Sequence, residues 1–288
     1  MSERYDCGDT QARTAGIDAA VTAARAGELI VLPTDTVYGI GADAFTPAAV
    51  TTMLAAKGRG RNMPPPVLVG TARAAAALAE DLGAFGQDLI DEFWPGALTL
   101  VFRASPTLLW DLGDTKGTVA LRMPLHSVAL EVLRQTGPLA VSSANRHGHP
   151  SAITADEAQE QLGESVSVYL DGGPCAENIP STILDLTGTI PKLLRAGAIS
   201  VDRLRTVASV VADNEHYAES ASPAADGRAA DGRGADGRGA DGRGADGRGV
   251  DGGAADSRAT GFKPASPHPL GGSAGPAGPT AGEPPSGT

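Results

Sequence analysis

Residues 33–44 read PTDTVYGIGADA and follow directly on the apolar run Leu29, Ile30, Val31, Leu32. A short apolar run bounded by turn-forming residues reads as a buried strand, here one that delivers a loop. That loop carries Thr34, Asp35, Thr36 and Tyr38 ahead of Gly39 and Gly41, more hydroxyls and more backbone freedom than packing calls for. A strand feeding a polar cradle is the signature of an α/β site, and the rest of the chain can be read outward from it.

Before the cradle, residues 15–26 are rich in alanine with Ile17 and Val21 on one face, predicting a helix that stops at Gly27. After it, Thr46 followed by Pro47 predicts a helix start, and Val50, Met53 and Leu54 carry that helix to Lys57. Pro64, Pro65 and Pro66 end any helix, so 67–69 reads as a strand. Further helices are predicted from Thr71, over 87–93 and over 126–134, and one more from the Thr154/Glu157 capping box. Strands are predicted over 97–102, 118–122, 138–142, 166–170, 182–186 and 192–195. Such interleaving predicts an α/β fold: a single domain over residues 15–217, built on a twisted mixed sheet flanked by helices. Residues 1–14 read as a partly flexible N-terminal segment.

Composition divides the 288 residues unevenly. From residue 218 onward the only aromatic is Phe262, and Asp-Gly-Arg recurs at Asp226, Asp231, Asp236, Asp241 and Asp246 with a five-residue period. Ordering each residue costs roughly 1–2 kcal/mol, and these small polar residues bury little in return. Residues 218–288 therefore read as a disordered low-complexity tail. The formal charge is −11, of which −2 belongs to that tail, with nine acidic and seven basic residues, and −9 to the body. An acidic body argues against a protein whose main task is coating nucleic acid. Cys7 and Cys175 have no metal-like spacing and fit a reducing compartment. The N-terminus lacks a secretory pattern and no run of apolar residues is long enough for a membrane span, so a cytoplasmic location is expected.

The Walker loop, the dinucleotide fingerprint and the hydrolase elbow are all missing from the sequence. Three other stretches carry chemistry. KGRGRN, residues 57–62, puts Lys57, Arg59 and Arg61 on a glycine-spaced loop able to wrap a polyphosphate; spacing alone favours the plainer reading of a solvated basic turn on a helix dipole. LAVSSANRHGHPS, residues 139–151, ends a strand in Ser142, Ser143 and Asn145, where α/β proteins bind polar ligands, although serines also form ordinary turns. His147 and His149 read as exposed loop residues rather than metal ligands. Arg122, Ser181, Thr182 and Arg195 stand at further strand ends, where an arginine is either a surface residue or a clamp for carboxylate or phosphate.

Taken in order, PTDTVYGIGADA, KGRGRNMPPPVLV, FWPGALTLV, GTVALRMP, VSSANRHGHPS, PSTILDL and LLRAGAIS resemble the threonylcarbamoyl-AMP synthase family, the YrdC-like proteins, over residues 15–204. The resemblance implies an enzyme, a nucleotidyltransferase that joins L-threonine, bicarbonate and ATP into L-threonylcarbamoyladenylate with release of pyrophosphate. The product feeds the threonylcarbamoyl modification of adenosine 37 in tRNAs. Carried over residue by residue, the family's catalytic K-x-R pair falls on Lys57 and Arg59. ATP contacts fall on Lys57, Arg61, Thr118, Ser143, Asn145, Ser151 and Arg195. Threonine contacts fall on Thr34, Arg122, Val141 and Ser181. Mg2+ is expected on the ATP phosphates, held mostly by substrate and water, with no metal site of the protein's own. Partners implied by resemblance are the proteins that transfer the threonylcarbamoyl group to tRNA, with at most weak tRNA contact and no membrane.

The chain departs from the family pattern at Gly60, where proline is usual, at Pro65, His147 and Ala196. It resembles the short bacterial form with the repeat tail added. Two other readings share the fold: an RNA-binding module without adenylate-forming activity, and a carbamoyl-transfer domain of the hydrogenase-maturation type. The body's charge weighs against the first, and the second expects acylphosphatase-like and zinc-finger regions upstream.

Overall fold

The computed structural model describes residues 2–176 and 178–212; the expected tail at 218–288 lies outside these residues. The elements are β1 (Glu3–Asp6), α1 (Thr10–Arg25), β2 (Ile30–Leu32), β3 (Gly39–Asp43), α2 (Pro47–Lys57), β4 (Val67–Leu68), α3 (Ala72–Leu78), α4 (Gly83–Phe93), β5 (Leu98–Arg103), β6 (Thr118–Arg122), α5 (Ser127–Thr136), β7 (Leu139–Ser143), α6 (Ala155–Leu162), β8 (Val168–Asp171), β9 (Thr182–Asp185), β10 (Lys192–Arg195) and α7 (Val201–Arg205). The strands form one mixed sheet of ten in the order β1-β8-β2-β3-β7-β4-β6-β5-β9-β10. Pairing is parallel for β1/β8, β2/β8, β4/β6 and β5/β9, and antiparallel for β2/β3, β3/β7, β4/β7, β5/β6 and β9/β10.

Alternation along the strands feeds two cores. Ile30 and Leu32 of β2 join Leu139 and Val141 of β7 under α1 and α5, where Ile17, Val21, Val128, Val132 and Leu133 are buried. Val31 and Ala140, their intervening neighbours, face the opposite core with Met53 and Leu54 of α2, Leu89 and Phe93 of α4, and Leu162 of α6. Burying each such side chain is worth about 1.5–3 kcal/mol, so helices on both faces fix the sheet between them.

Local signals in the sequence set most element ends. Thr71 caps α3 by accepting from the Ala74 N–H at 3.1 Å. Thr154 caps α6 through the Glu157 N–H at 3.2 Å, while Glu157 returns its carboxylate to the Ile153 N–H at 2.7 Å, one residue earlier than a reciprocal capping box requires. Thr46 behaves differently: at the start of α2 its hydroxyl donates to the Asp43 carboxylate at 2.7 Å instead of capping the helix.

The first difference from the sequence reading lies at the N-terminus. Glu3–Asp6 pairs in parallel with β8, and α1 begins at Thr10 behind an Asp9 cap, ahead of the expected residue 15. Arg4 anchors the strand by donating to Asp156 and to Asp171, the latter at 2.6 Å. The second lies inside the opening stretch. GIGAD is not loop but strand β3, in register with β2 from Leu32↔Gly39 and with β7 from Gly39↔Ser143.

Candidate functional site

The turn between β2 and β3 is held by Thr34. Its buried hydroxyl donates to the Val37 carbonyl at 2.7 Å and accepts from the Thr36 N–H at 3.1 Å, with the Thr36 hydroxyl also at 3.1 Å. Asp35 and Thr36 then point across to Arg122, the last residue of β6. The guanidinium donates through Nη2 to Asp35 Oδ1 at 2.6 Å, through Nη1 to Thr36 Oγ1 at 3.0 Å and through Nε to the Gly96 carbonyl at 2.9 Å. Asp35 Oδ1 accepts a second bond from the Leu125 N–H at 2.9 Å. The Arg122 and Asp35 side chains are only 8% and 14% exposed. Burial lowers the Arg122 pKa and the Asp35 charge opposes that fall.

Lys57 ends α2, where Gly58 turns left-handed with φ 67°. The side chain is 1% exposed. Its Nζ donates to the Ser143 carbonyl, to the Asn145 carbonyl at 2.6 Å and to Asn145 Oδ1 at 3.4 Å, all neutral acceptors. Burial, reinforced by the neighbouring charge of Arg59, lowers its pKa from 10.5 to about 7. Arg59 donates through Nη1 to the Ser142 hydroxyl at 2.9 Å, while its buried Nε has no partner. Asn145, also buried, uses its amide to fasten the following loop, donating to the Arg146 and His149 carbonyls at 2.9 and 2.8 Å. Its Oδ1 accepts from the Ser143 hydroxyl.

Across the sheet, Arg195 ends β10 and donates to the Ser181 carbonyl from Nε at 3.0 Å and from Nη2 at 2.7 Å, and to the Ser181 hydroxyl at 3.0 Å. Ser181 Oγ lies 2.8 Å from Thr99 Oγ1. Burial lowers the Arg195 pKa, and the charges of Arg122 and Arg59 lower it further. Those mutual repulsions place Lys57, Arg59, Arg122 and Arg195 within one electrostatic neighbourhood. Among the described residues, Asp35 alone appears as a carboxylate partner of these cations.

The remaining expected residues stand as follows. Thr118, half-buried at the start of β6, donates to the Thr115 carbonyl at 2.8 Å. Val141 commits its side chain to the apolar core, and a Cβ on Gly39 would lie 2.6 Å from Val141 Cγ1. Ser151 is half-buried at the end of the loop that Asn145 fastens. Arg61 is exposed and forms a two-pronged ion pair with Asp111, at 3.0 and 2.7 Å, with Asp114 at 3.9 Å. Its stated partners are therefore acidic, and the other loop cations turn to neutral groups. His147 and His149 are exposed, and His147 donates its backbone N–H to the Lys57 carbonyl at 2.8 Å. Among the described residues no cluster of three or more His, Cys, Asp or Glu is placed to hold a metal ion, and no helix is long and apolar enough to cross a membrane.

Sequence reasoning placed Asp35 and Thr36 in the polar cradle but missed them as partners of Arg122. Both contacts join residues more than eighty positions apart, so no local signal in the sequence announces them.

The Sua5, YciO and YrdC family model, described as telomere recombination, matches residues 22–197. A Mycobacterium tuberculosis protein, named provisionally as a threonylcarbamoyl-AMP synthase, is 54% identical over 210 residues, 73% of this chain and 97% of its own length. The threonylcarbamoyl-AMP synthase of Bacillus subtilis is 37% identical over 186 residues, 64% of this chain and 54% of that protein. The crystal structure of Pyrococcus abyssi Sua5 complexed with L-threonine superposes with a TM-score of 0.67 at 31% identity, over 73% of this chain and 62% of that one. With the family match spanning more than half of its residues, and with the mixed α/β sheet and the cluster of cations in place, this chain belongs to the Sua5/YciO/YrdC family.

Proposed function

We propose that the chain is a threonylcarbamoyl-AMP synthase. The observation that carries the reading is the gathering of Lys57, Arg59 and Arg195, bonded to neutral groups, in one electrostatic neighbourhood with the Arg122–Asp35 pair. In this reading the threonine ammonium and bicarbonate give a carbamate with loss of water and a proton. A carbamate oxygen then attacks the α-phosphorus of ATP, the bond to the β-phosphate oxygen breaks, and pyrophosphate departs with the electron pair.

Both partners are anions, so the main requirement is preorganised positive charge rather than a nucleophile. Arg59 and Arg195 meet the phosphates, and Lys57, whose three N–H groups are held by Ser143 and Asn145, adds its charge from behind the strand end; Arg122, whose Nε and one N–H on each Nη are already anchored, offers its remaining N–H groups to the threonine carboxylate. The Ser181 hydroxyl lies beside Arg195, 3.0 Å from its Nη2. Magnesium enters as part of the MgATP substrate, because Asp35 has Oδ1 committed to Arg122 and Leu125 and offers no cage. Arg61 joins the phosphates only by exchanging Asp111 for them. The adenylate product is a mixed anhydride prone to hydrolysis, which calls for prompt handover to a protein that transfers the group to tRNA.

The test is pyrophosphate release from ATP by the full chain. Release is expected to require both threonine and bicarbonate. Turnover with carbamoyl phosphate but not threonine, or tight RNA binding without ATP turnover, would reject the proposal.

A further inference from the structure

Beyond the general assignment, we infer that Asp35 is a specificity-determining residue that sorts the polyanionic from the zwitterionic substrate, reserving Arg122 for the amino acid by keeping phosphate away from it. The inference rests on the synthase reading and goes further into the same cleft.

Two substrates of very different charge must share one cluster of cations. ATP carries a dense polyanion, and threonine is a zwitterion with a single carboxylate. Left bare, every cation in the cleft would favour the polyanion, since Coulomb attraction scales with the product of the charges. The structure treats the cations unequally. Lys57, Arg59 and Arg195 bond only carbonyls, an amide oxygen and hydroxyls, so no carboxylate among the described residues offsets them. Of these four cations Arg122 alone is paired with a carboxylate among the described residues, at 2.6 Å and largely out of water.

The Arg122–Asp35 pair has no net charge, so it exerts little pull on a phosphate, and the carboxylate directly repels one. A zwitterion meets the same pair favourably, with its carboxylate toward Arg122 and no net charge to be repelled. Asp35 is also fixed in place. Its Oδ1 accepts from both Arg122 and the Leu125 N–H, which holds the negative charge at the end of β6 instead of letting it swing toward the phosphate side. Specificity of this kind comes from an element set against the wrong ligand as much as from contacts to the right one.

Asp35→Asn is the direct test, because the amide oxygen keeps both acceptor contacts and the shape while removing the charge. Threonine binding to the full chain is measured by calorimetry with and without inorganic pyrophosphate as the phosphate probe. In the wild-type protein, threonine affinity is expected to be unchanged by pyrophosphate. In Asp35→Asn, pyrophosphate is expected to compete with threonine and weaken its apparent affinity by roughly tenfold or more, the scale of one charge-assisted contact. ATP should likewise become an inhibitor competitive with threonine in turnover. Asp35→Glu, which restores the charge, is expected to remove the competition. Should Asp35→Asn not be recovered folded, Asp35→Ser is read in the same way.

Threonine binding that stays indifferent to pyrophosphate in the neutral variants would overturn the inference. So would a wild-type protein that already shows the competition, or an equal loss of threonine affinity with and without pyrophosphate, which marks a purely structural role. A wild-type protein that fails to bind threonine at all would instead reject the synthase reading, and this inference with it.

Discussion

Replacing Lys57 with methionine is expected to slow pyrophosphate release by roughly 10²–10³-fold, the scale of removing one electrostatic stabiliser of developing charge. Arginine is a poorer stand-in, because the guanidinium cannot enter the pocket where one ammonium meets Ser143 O, Asn145 O and Asn145 Oδ1. The same variant has a signature without substrate. In the folded protein Lys57 titrates at about 7, against 10.5 for an ordinary lysine, because it is buried and faces Arg59. Between those pH values the unfolded chain binds the extra proton and the native one does not, so the native state gains stability as pH rises from about 7 toward 10.5 and loses it as pH falls through 7. Groups common to both proteins cancel when melting curves of wild type and Lys57→Met are subtracted. The difference should grow in the wild type's favour over that window. A flat difference would show that Lys57 titrates normally, and a near-normal rate would remove it from the reaction.

The substitution Gly197→Ala is expected to damage stability and ATP use together. A Cβ at residue 197 would lie 2.4 Å from the Pro180 carbonyl oxygen and 2.5 Å from both Ser181 C and Thr182 N. These are backbone atoms at the entry to β9, fixed by the Thr182 N–H to Ala97 O bond at 3.0 Å and the Ala198 N–H to Pro180 O bond at 3.0 Å. Neither can rotate away as a side chain would, so overpacking should cost about 1–3 kcal/mol. That corresponds to a fall in melting temperature of roughly 2–4 °C per kcal/mol for a domain of this size. The displaced segment carries Ser181, the anchor of Arg195, so KM for ATP should rise as well. An alanine variant with wild-type melting temperature and kinetics would mean that the two segments do not meet as closely as described.

How much of this was legible in the sequence depended on whether a residue's partner was local. Helix ends at Thr71 and Thr154 were readable because the cap and the N–H it receives lie three residues apart. Strands β6 and β10 were readable because branched and long apolar residues fill them between turn formers. Strand β3 was not. Its glycines carry weak strand propensity, and what makes it a strand is pairing on both sides, with β2 and with β7, where Val141 leaves no room for a Cβ at Gly39. Strand β1, ERYD, is a polar edge strand with no core-facing alternation for periodicity to detect. Within the site, residue types were legible but pairings were not. Lys57 at a helix end reads naturally as a solvated cation, yet its acceptors lie 86 and 88 residues away. The Arg122–Asp35 bond spans 87 residues and leaves no local trace.

The sheet order has one further consequence, for folding. Parallel pairing of β8 with both β1 and β2, and of β5 with β9, joins segments far apart in the chain, which gives a high contact order and slow loop closure before any contact is rewarded. The cleft draws on Thr34, Lys57, Arg122, Asn145 and Arg195, so nearly every strand must be in place before it exists. Loss of turnover in denaturant should therefore share a single midpoint with loss of circular dichroism. The catalytic assay then doubles as a gauge of global folding, and an earlier loss of activity would reveal a cleft that frays before the sheet does.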